Sequence, residues 1–187
     1  SLCVAVLYRV LKLVAPILNG YDVAIEKSRD MGASWINIIV PQHQLQFVDD
    51  KNFLFVSRNE SYVDEQGNPK SLFWKMDFLL KHQPKWLKPA SLTRKSMHLE
   101  NGFNGTVISG ESTTGEVGRG DRRTAILLDE FAAFETGAGY NALKATQSAT
   151  NCRIFNSTPK GSANAFYDVV HRTTARIVEM QIGRAHV

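Results

Sequence analysis

Thr124 to Phe131 reads Thr-Ala-Ile-Leu-Leu-Asp-Glu-Phe, four consecutive apolar residues that end on two carboxylates. A run of this length, Ala125 to Leu128, suits a strand buried on both faces, as in a parallel sheet covered by helices. Burying an acid at the edge of a core is costly unless it is paired or binds a cation. Asp129 and Glu130 are therefore expected where the strand emerges into a polar cleft. In a Walker B arrangement the first acid holds Mg²⁺ and the second polarises the water that attacks a γ-phosphate. A strand that ends in two solvated acids fits the same eight residues, and the motif alone does not separate the two.

Upstream, Tyr21 to Ile25 reads as a short strand. Glu26-Lys-Ser-Arg-Asp-Met-Gly-Ala-Ser34 follows, then an apolar stretch, Trp35 to Val40, that opens a helix. Strand, loop with a glycine, then helix start is the context of a phosphate-binding loop, because backbone N–H groups and the helix dipole converge on an anion. The spacing departs from G-x-x-x-x-G-K-[ST]: Lys27 stands where the first Gly belongs and Ala33 where the Lys belongs. The candidate loop is Lys27, Ser28, Arg29, Asp30, Met31, Gly32, Ala33 and Ser34. Lys27 or Arg29 would serve as its cation and Ser34 would offer a hydroxyl to Mg²⁺. Read alone, the K-x-x-x-x-G-x-S pattern is weak, and an ordinary turn is its simpler account.

Phe53 to Val56 reads as a second strand. The polar loop Asp64 to Pro69 and a helix with Leu72, Phe73, Met76, Leu79 and Leu80 at helical spacing come next. Lys81, Lys85, Lys88, Arg94 and Lys95 surround Trp86 without an intervening acid. Such a stretch suits either a nucleic-acid backbone or a solvated face. Asn101-Gly-Phe-Asn-Gly105, between Arg94–Leu99 and Thr106–Ser109, is a hairpin signal. From Gly110 the sequence turns into a Gly, Ser and Thr-rich loop carrying Arg119, Arg122 and Arg123. These are candidates to stabilise transition-state charge, or to pair with surface acids. Ala138 to Ser148 reads as a helix and Cys152 to Phe155 as a strand. Ser157 and Thr158 stand at its exit, with Pro159 and Gly161 forcing a turn; Ala163–Arg172 (helix) and Ala175–Gln181 (strand) complete the pattern.

The 187 residues support one sizeable core, and length favours a single domain. Twenty-two Lys plus Arg against 18 Asp plus Glu gives +4, which permits an anionic partner without requiring one. Cys3 and Cys152 show no metal-ligand spacing and read as reduced thiols. The histidines form no zinc pattern. Residues 1–20 read as an amphipathic helical lead-in, with Leu7, Val10, Leu11, Val14, Ile17 and Leu18 on one face. Arg9 and Lys12 interrupt the stretch, which argues against a membrane span. Residues 182–187, Ile-Gly-Arg-Ala-His-Val, look like a translated sequencing adapter and are expected to be non-native. The domain then covers residues 1–181 of a truncated chain.

Lys27 to Trp35, Leu72-Phe-Trp-Lys75, Gly110-Glu-Ser-Thr113, Leu128 to Ala132 and Ser157 to Tyr167, in this order, resemble the ATPase domain of the large terminase subunit, the DNA-packaging motor of tailed bacteriophages. The resemblance implies an α/β P-loop NTPase fold of the extra-strand, catalytic-Glu type, mostly parallel, with helices on both faces of the sheet. It implies ATP and Mg²⁺ as cofactors, Lys27 as the phosphate contact, Ser34 and Asp129 for the metal and Glu130 to activate water. Ser157 and Thr158 would couple hydrolysis to DNA movement. Double-stranded DNA, a portal or procapsid, the small terminase subunit and a possible homo-oligomeric ring are the implied partners, in the host cytoplasm. The family's C-terminal nuclease domain has no counterpart in these residues, so nuclease activity is not expected of them. A helicase half-domain also ends a strand in Asp-Glu, and Ala33 favours a P-loop module that binds without hydrolysing.

Overall fold

The computed structural model describes residues 11–12, 14–113, 117–118 and 121–180. Arg119 and the adapter-like residues 182–187 lie outside them, as do Cys3 and most of the lead-in. The elements run α1 (described over 14–19), β1 (Val23–Lys27), α2 (Ala33–Phe47), β2 (Asn52–Ser57), the single turn α3 (Glu60–Val63) and α4 (Leu72–His82). After a 3-10 turn at Lys85–Leu87 come β3 (Leu92–Lys95), β4 (His98–Asn101), β5 (Thr106–Ser112) and β6 (Ala125–Asp129). A second 3-10 turn (Phe131–Ala133), α5 (Thr136–Gln147), β7 (Arg153–Ser157), α6 (Ala165–Arg172) and β8 (Arg176–Met180) follow.

The strands form one eight-stranded sheet in the order β3-β4-β5-β2-β6-β7-β1-β8. All neighbours from β5 to β8 pair in parallel, and the β3-β4-β5 edge is antiparallel. This is the expected α/β architecture. Strand β7 separates β1 from the acidic strand β6, which is the extra strand of the predicted fold type.

Side-chain alternation along the strands divides the core in two. Val23 and Ile25, Phe53 and Phe55, Ala125 and Leu127, and Ile154 pack with Ile36, Ile38 and Leu45 of α2 and with Leu72, Phe73 and Met76 of α4. Ala24, Leu54, Val56, Ile126, Leu128 and Phe155 pack on the other face with Ala142 of α5 and Phe166 and Val169 of α6. Continuing the first parity to the strand ends puts Lys27, Ser57, Asp129 and Asn156 in the rows that face α2 and α4. The sheet periodicity thus assembles one polar end on one face.

Several local readings change. The stretch Arg94–Leu99 is two strands, not one, because Met97 takes a left-handed backbone (φ 54°) and turns β3 back onto β4. Gly110 to Ser112 belong to β5 rather than to a loop. A Cβ at Gly110 would meet Val63 Cγ1 at 2.6 Å and Phe73 at 2.9 Å, so this glycine permits close packing of α3 and α4 on the strand. Leu11 and Leu18 are exposed, and only Val14 and Ile17 of the expected apolar face reach the core among the described residues. The turn at residues 101–105 stands, between β4 and β5. Asn101 and Asn104 each donate to Leu45 O (2.9 and 3.0 Å), which fastens it to the end of α2. Cys152 is a buried free thiol, pushed up to about 12 by burial first and by Asp22 second.

Arg94 does not stand free in a basic strip. It donates to Asp64 (2.6 and 2.9 Å) and to Asp77 (3.1 Å) and lies over the Phe73 ring, joining β3 to the loop before α4 and to α4 itself. Burial alone would push the Asp64 carboxyl up. The hydrogen bonds from Arg94 and from the Met97 N–H outweigh it and hold the group below its ordinary 3.8. A depressed folded value means that this stabilisation is complete above 3.8 and lost as pH falls through the folded value. Arg94→Ala is expected to cost about 1–3 kcal/mol at neutral pH in urea melts. It should also flatten the loss of stability between about pH 5 and pH 2. A variant with an unchanged acid limb would show that the cluster is not the source of that dependence.

Candidate nucleotide site

The parallel register sets the site. Asp129 of β6 lies opposite Asn156 of β7, and Asn156 opposite Ile25 of β1, two residues before Lys27. The first turn of α2 descends over these strand ends. Its N-cap, Gly32, is left-handed (φ 70°), as is Asp30 (φ 59°), and such alternation shapes a concave nest of backbone N–H groups. The requirement at Gly32 is conformational, since a Cβ there would meet nothing within 4 Å.

Four loop tips and strand ends converge on a cleft of about 850 Å³. Lys27 Nζ donates to Glu130 Oε1 at 2.9 Å and to Thr158 Oγ1 at 3.4 Å. Ser34 Oγ donates to the Asp129 carboxylate, 3.2 Å from both oxygens. The Asn156 amide donates to Asp129 Oδ1, while its own Oδ1 is buried and without a partner among the described residues. The sequence-predicted Lys27, Ser34, Asp129, Glu130 and Thr158 are therefore brought together, and Arg29, Asp30, Met31, Gly32 and Ala33 line the same space. Ser28 follows the strand end, its N–H on Met180 O at 3.0 Å.

Asp129 is 5% exposed and no cation forms an ion pair with it among the described residues. Burial pushes its carboxyl up, with the Glu130 charge adding, against the Asn156 hydrogen bond and the charges of Lys27 and Lys75. A buried carboxylate with a hydroxyl beside it and room for phosphate oxygens and waters is the donor set of a hard divalent cation such as Mg²⁺. That ion takes one or two protein ligands and keeps its waters. Glu130 is left-handed (φ 55°), a conformation that costs a non-glycine residue of order 1–3 kcal/mol and that the rest of the turn must hold. Ser57 Oγ to Asp129 O (3.3 Å) and the Ala132 N–H to Ser157 Oγ (3.0 Å) tie that turn down.

Other predicted residues fall elsewhere. The Ser157 hydroxyl is occupied by backbone, accepting from Ala132 and donating to Thr158 O (3.2 Å). Ser157 lines the cleft, but its hydroxyl is turned to the backbone of the neighbouring turns. Arg122 and Arg123 precede β6, and the Arg123 N–H bonds Ala149 O at 2.8 Å. Six residues of extended chain, about 20 Å, separate Arg123 from Asp129. Neither arginine reaches the acid pair of its own chain, because β6 spans the sheet between them. Lys81, Lys85, Lys88 and Lys95 lie on the far end of α4 and in the segment after it, outside the cleft; Lys88 Nζ bonds Lys81 O at 2.9 Å. Sequence reasoning missed Asn156 and the pair Arg58 and Tyr62, whose guanidinium lies 4.0 Å from the ring centroid at the cleft wall, and quoted Lys75 within a family-like motif without giving it a site role. Asn156 carried one signal, a polar residue on the inward parity of an apolar strand. Arg58 and Tyr62 carried none.

Comparison with known proteins bears on the family and the fold. The family model described as terminase large subunit, T4likevirus-type, N-terminal, matches residues 24–182. A search of curated proteins returns no match. Among solved structures, the HK97 bacteriophage large terminase superposes with a TM-score of 0.66 at 16% identity, over 90% of this chain and 37% of that one. The large terminase of a thermophilic bacteriophage gives 0.63 at 11%, over 92% and 44%, and has also been solved with ADP and with ATP-gamma-S. The ATPase domain of a Thermus phage large terminase gives 0.64 at 13%, over 87% and 76%. At these identities the likeness is one of fold, and the chain spans less than half of the first two proteins.

A raised folded value for Asp129 means that its ionisation opposes folding above 3.8 and not below. In EDTA at neutral pH, Asp129→Asn is therefore expected to stabilise the protein by about 1–2 kcal/mol in urea melts, with the gain vanishing in acid. Destabilisation at neutral pH would show that the carboxylate is already compensated.

Proposed function

We propose, from the premise that this chain belongs to the T4likevirus-type family of terminase large subunits as their N-terminal part, that the cleft binds and hydrolyses Mg²⁺-ATP to drive double-stranded DNA into a procapsid. The observation that carries the reading is the convergence of Lys27, Ser34, Asp129, Glu130 and Thr158 from three adjacent strand ends and one helix start. Ser34 and Asp129 would hold the metal, which when bound neutralises charge on the β- and γ-phosphate oxygens.

The chain's own residues account for the rest. The α2 N-terminus and the left-handed turns at Asp30 and Gly32 receive the phosphates. Lys27 is shared between Glu130 and Thr158, so a γ-phosphate that takes hold of this ammonium competes with the Glu130 carboxylate. Glu130, freed of its partner, orients and deprotonates the attacking water as general base. Thr158 senses the same ammonium, and Ser157 is bonded to the turn that follows Glu130. Loss of the γ-phosphate therefore alters the contacts of the strand β7 exit. That supports these two residues as the link between hydrolysis and movement. DNA, the portal or procapsid, a small subunit and a ring of copies are the partners the family suggests, in the host cytoplasm. Among the described residues no helix is long and apolar enough to cross a membrane. In such a ring Arg122 or Arg123 would serve only a neighbouring site.

Titration with a fluorescent ATP analogue is expected to show Mg²⁺-dependent binding that weakens with Lys27→Ala. Glu130→Gln should retain the affinity and lose about 10²- to 10⁴-fold in turnover. Hydrolysis by Glu130→Gln at the unmodified rate would remove the general base. A folded protein that binds DNA in a salt-sensitive way but no nucleotide would be a nonhydrolysing module instead.

A further inference from the structure

Ala33 stands where a phosphate loop ordinarily carries its lysine, and its side chain is buried at the start of α2. Lys27 approaches from β1, on one side of Asp129. A second buried cation approaches from the other. Lys75 lies in the first turns of α4, the helix packed beside α2 and against β2 through the Phe73 and Phe55 rings (centroids 5.9 Å apart). It is 7% exposed, lines the cleft together with Asp129 and Glu130, and has no ion-pair partner among the described residues.

Its ammonium donates to two carbonyls, Lys70 O (2.7 Å) and Ser71 O (3.3 Å). An ammonium has three donors, so one is left for an acceptor in the cleft. A lysine at the flank of a helix ordinarily extends its head group to water. Here burial pushes its pKa down, opposed by the charges of Asp129 and Glu130, and among the described residues carbonyl oxygens alone hold it. Such a group is costly to keep unless an anion arrives.

We propose that Lys75 supplies, from α4, the phosphate-contacting ammonium that the loop lacks at Ala33, and that it binds the terminal phosphate of the nucleotide from the β2 side while Lys27 binds it from the β1 side. The proposal rests on the ATP-site reading above. It makes α4, and not only the loop, part of the phosphate sensor. It also gives the site two cations whose geometry is set by different elements.

The test compares the unmodified protein, Lys75→Gln, Lys75→Met and Lys27→Ala in Mg²⁺-containing titrations with ADP and with a nonhydrolysable ATP analogue. Gln retains an N–H for the Lys70 and Ser71 carbonyls, so it separates charge from loop anchoring if Lys75→Met folds poorly. The expected result is a loss of about 10- to 100-fold for the ATP analogue with Lys75→Gln, against less than about 3-fold for ADP. Equal effects on both nucleotides, or none, while Lys27→Ala still weakens binding, would overturn the role of Lys75 and leave the nucleotide site standing. Absence of nucleotide binding in the unmodified folded protein would overturn the site reading and this proposal with it.

Discussion

The parallel pairing of β6, β7 and β1 is the constraint on which the cleft depends. Backbone hydrogen bonds fix Asp129 against Asn156 and Asn156 against Ile25, and side-chain alternation then decides which residues share a face. A slip of one residue in β7 would turn Asn156 to the α5 and α6 side. It would leave Asp129 without its amide donor, holding only the Ser34 hydroxyl against the cost of burial. The apolar residues below make that slip expensive: Ile154 and Phe155 would exchange places between two packed cores. Polar geometry at the strand ends is thus held by hydrophobic packing at the strand middles.

Charge in the cleft is arranged around a deficit at its centre. Asp129 has a hydroxyl and an amide but, among the described residues, no cation in contact. Two buried ammoniums flank it, one bonded to Glu130 and Thr158 and the other to carbonyls alone. In a medium of low effective dielectric each of these groups is costly when alone, and they offset one another only at a distance. A divalent cation with a polyanion fits such a set because each supplies the counter-charge that another member lacks.

Sequence pattern carried the fold because the strands at the centre are short apolar runs with few polar interruptions, and their ends are marked by Lys27, Asp129 and Ser157. The loop and acid motifs were legible for the same reason. What was not legible depends on placement across the sheet. Arg122 and Arg123 stand seven and six residues from the acid in a segment that also contains flexible-loop composition, and only the direction of β6 shows that they occupy its other end. Lys75 shares the Leu72 and Met76 face of α4, and a lone charge on an apolar stripe was the available signal. The motif Leu72-Phe-Trp-Lys75 was quoted for the resemblance, but reading the stripe as core left the lysine without a role. The turn at Met97 and the continuation of β5 through Gly110 depended on a left-handed backbone and a missing side chain, neither of which alters hydrophobic periodicity.

Glu130 joins the ends of three adjacent strands. Its left-handed backbone is held by the Phe131–Ala133 turn that follows, where the Ala133 N–H bonds the Glu130 carbonyl at 2.8 Å, and the Ala132 N–H is anchored on Ser157 of the neighbouring strand. Its carboxylate is engaged by Lys27 of the strand beyond. The residue therefore records, in one backbone conformation and one ion pair, the state of β6, β7 and β1 together. On the proposed reading, an ammonium drawn off by phosphate removes the ion pair but not the backbone strain. What then returns Glu130 to its resting contact is the same Lys27 that the departing phosphate releases, so the site resets through its own charge balance without a separate moving part.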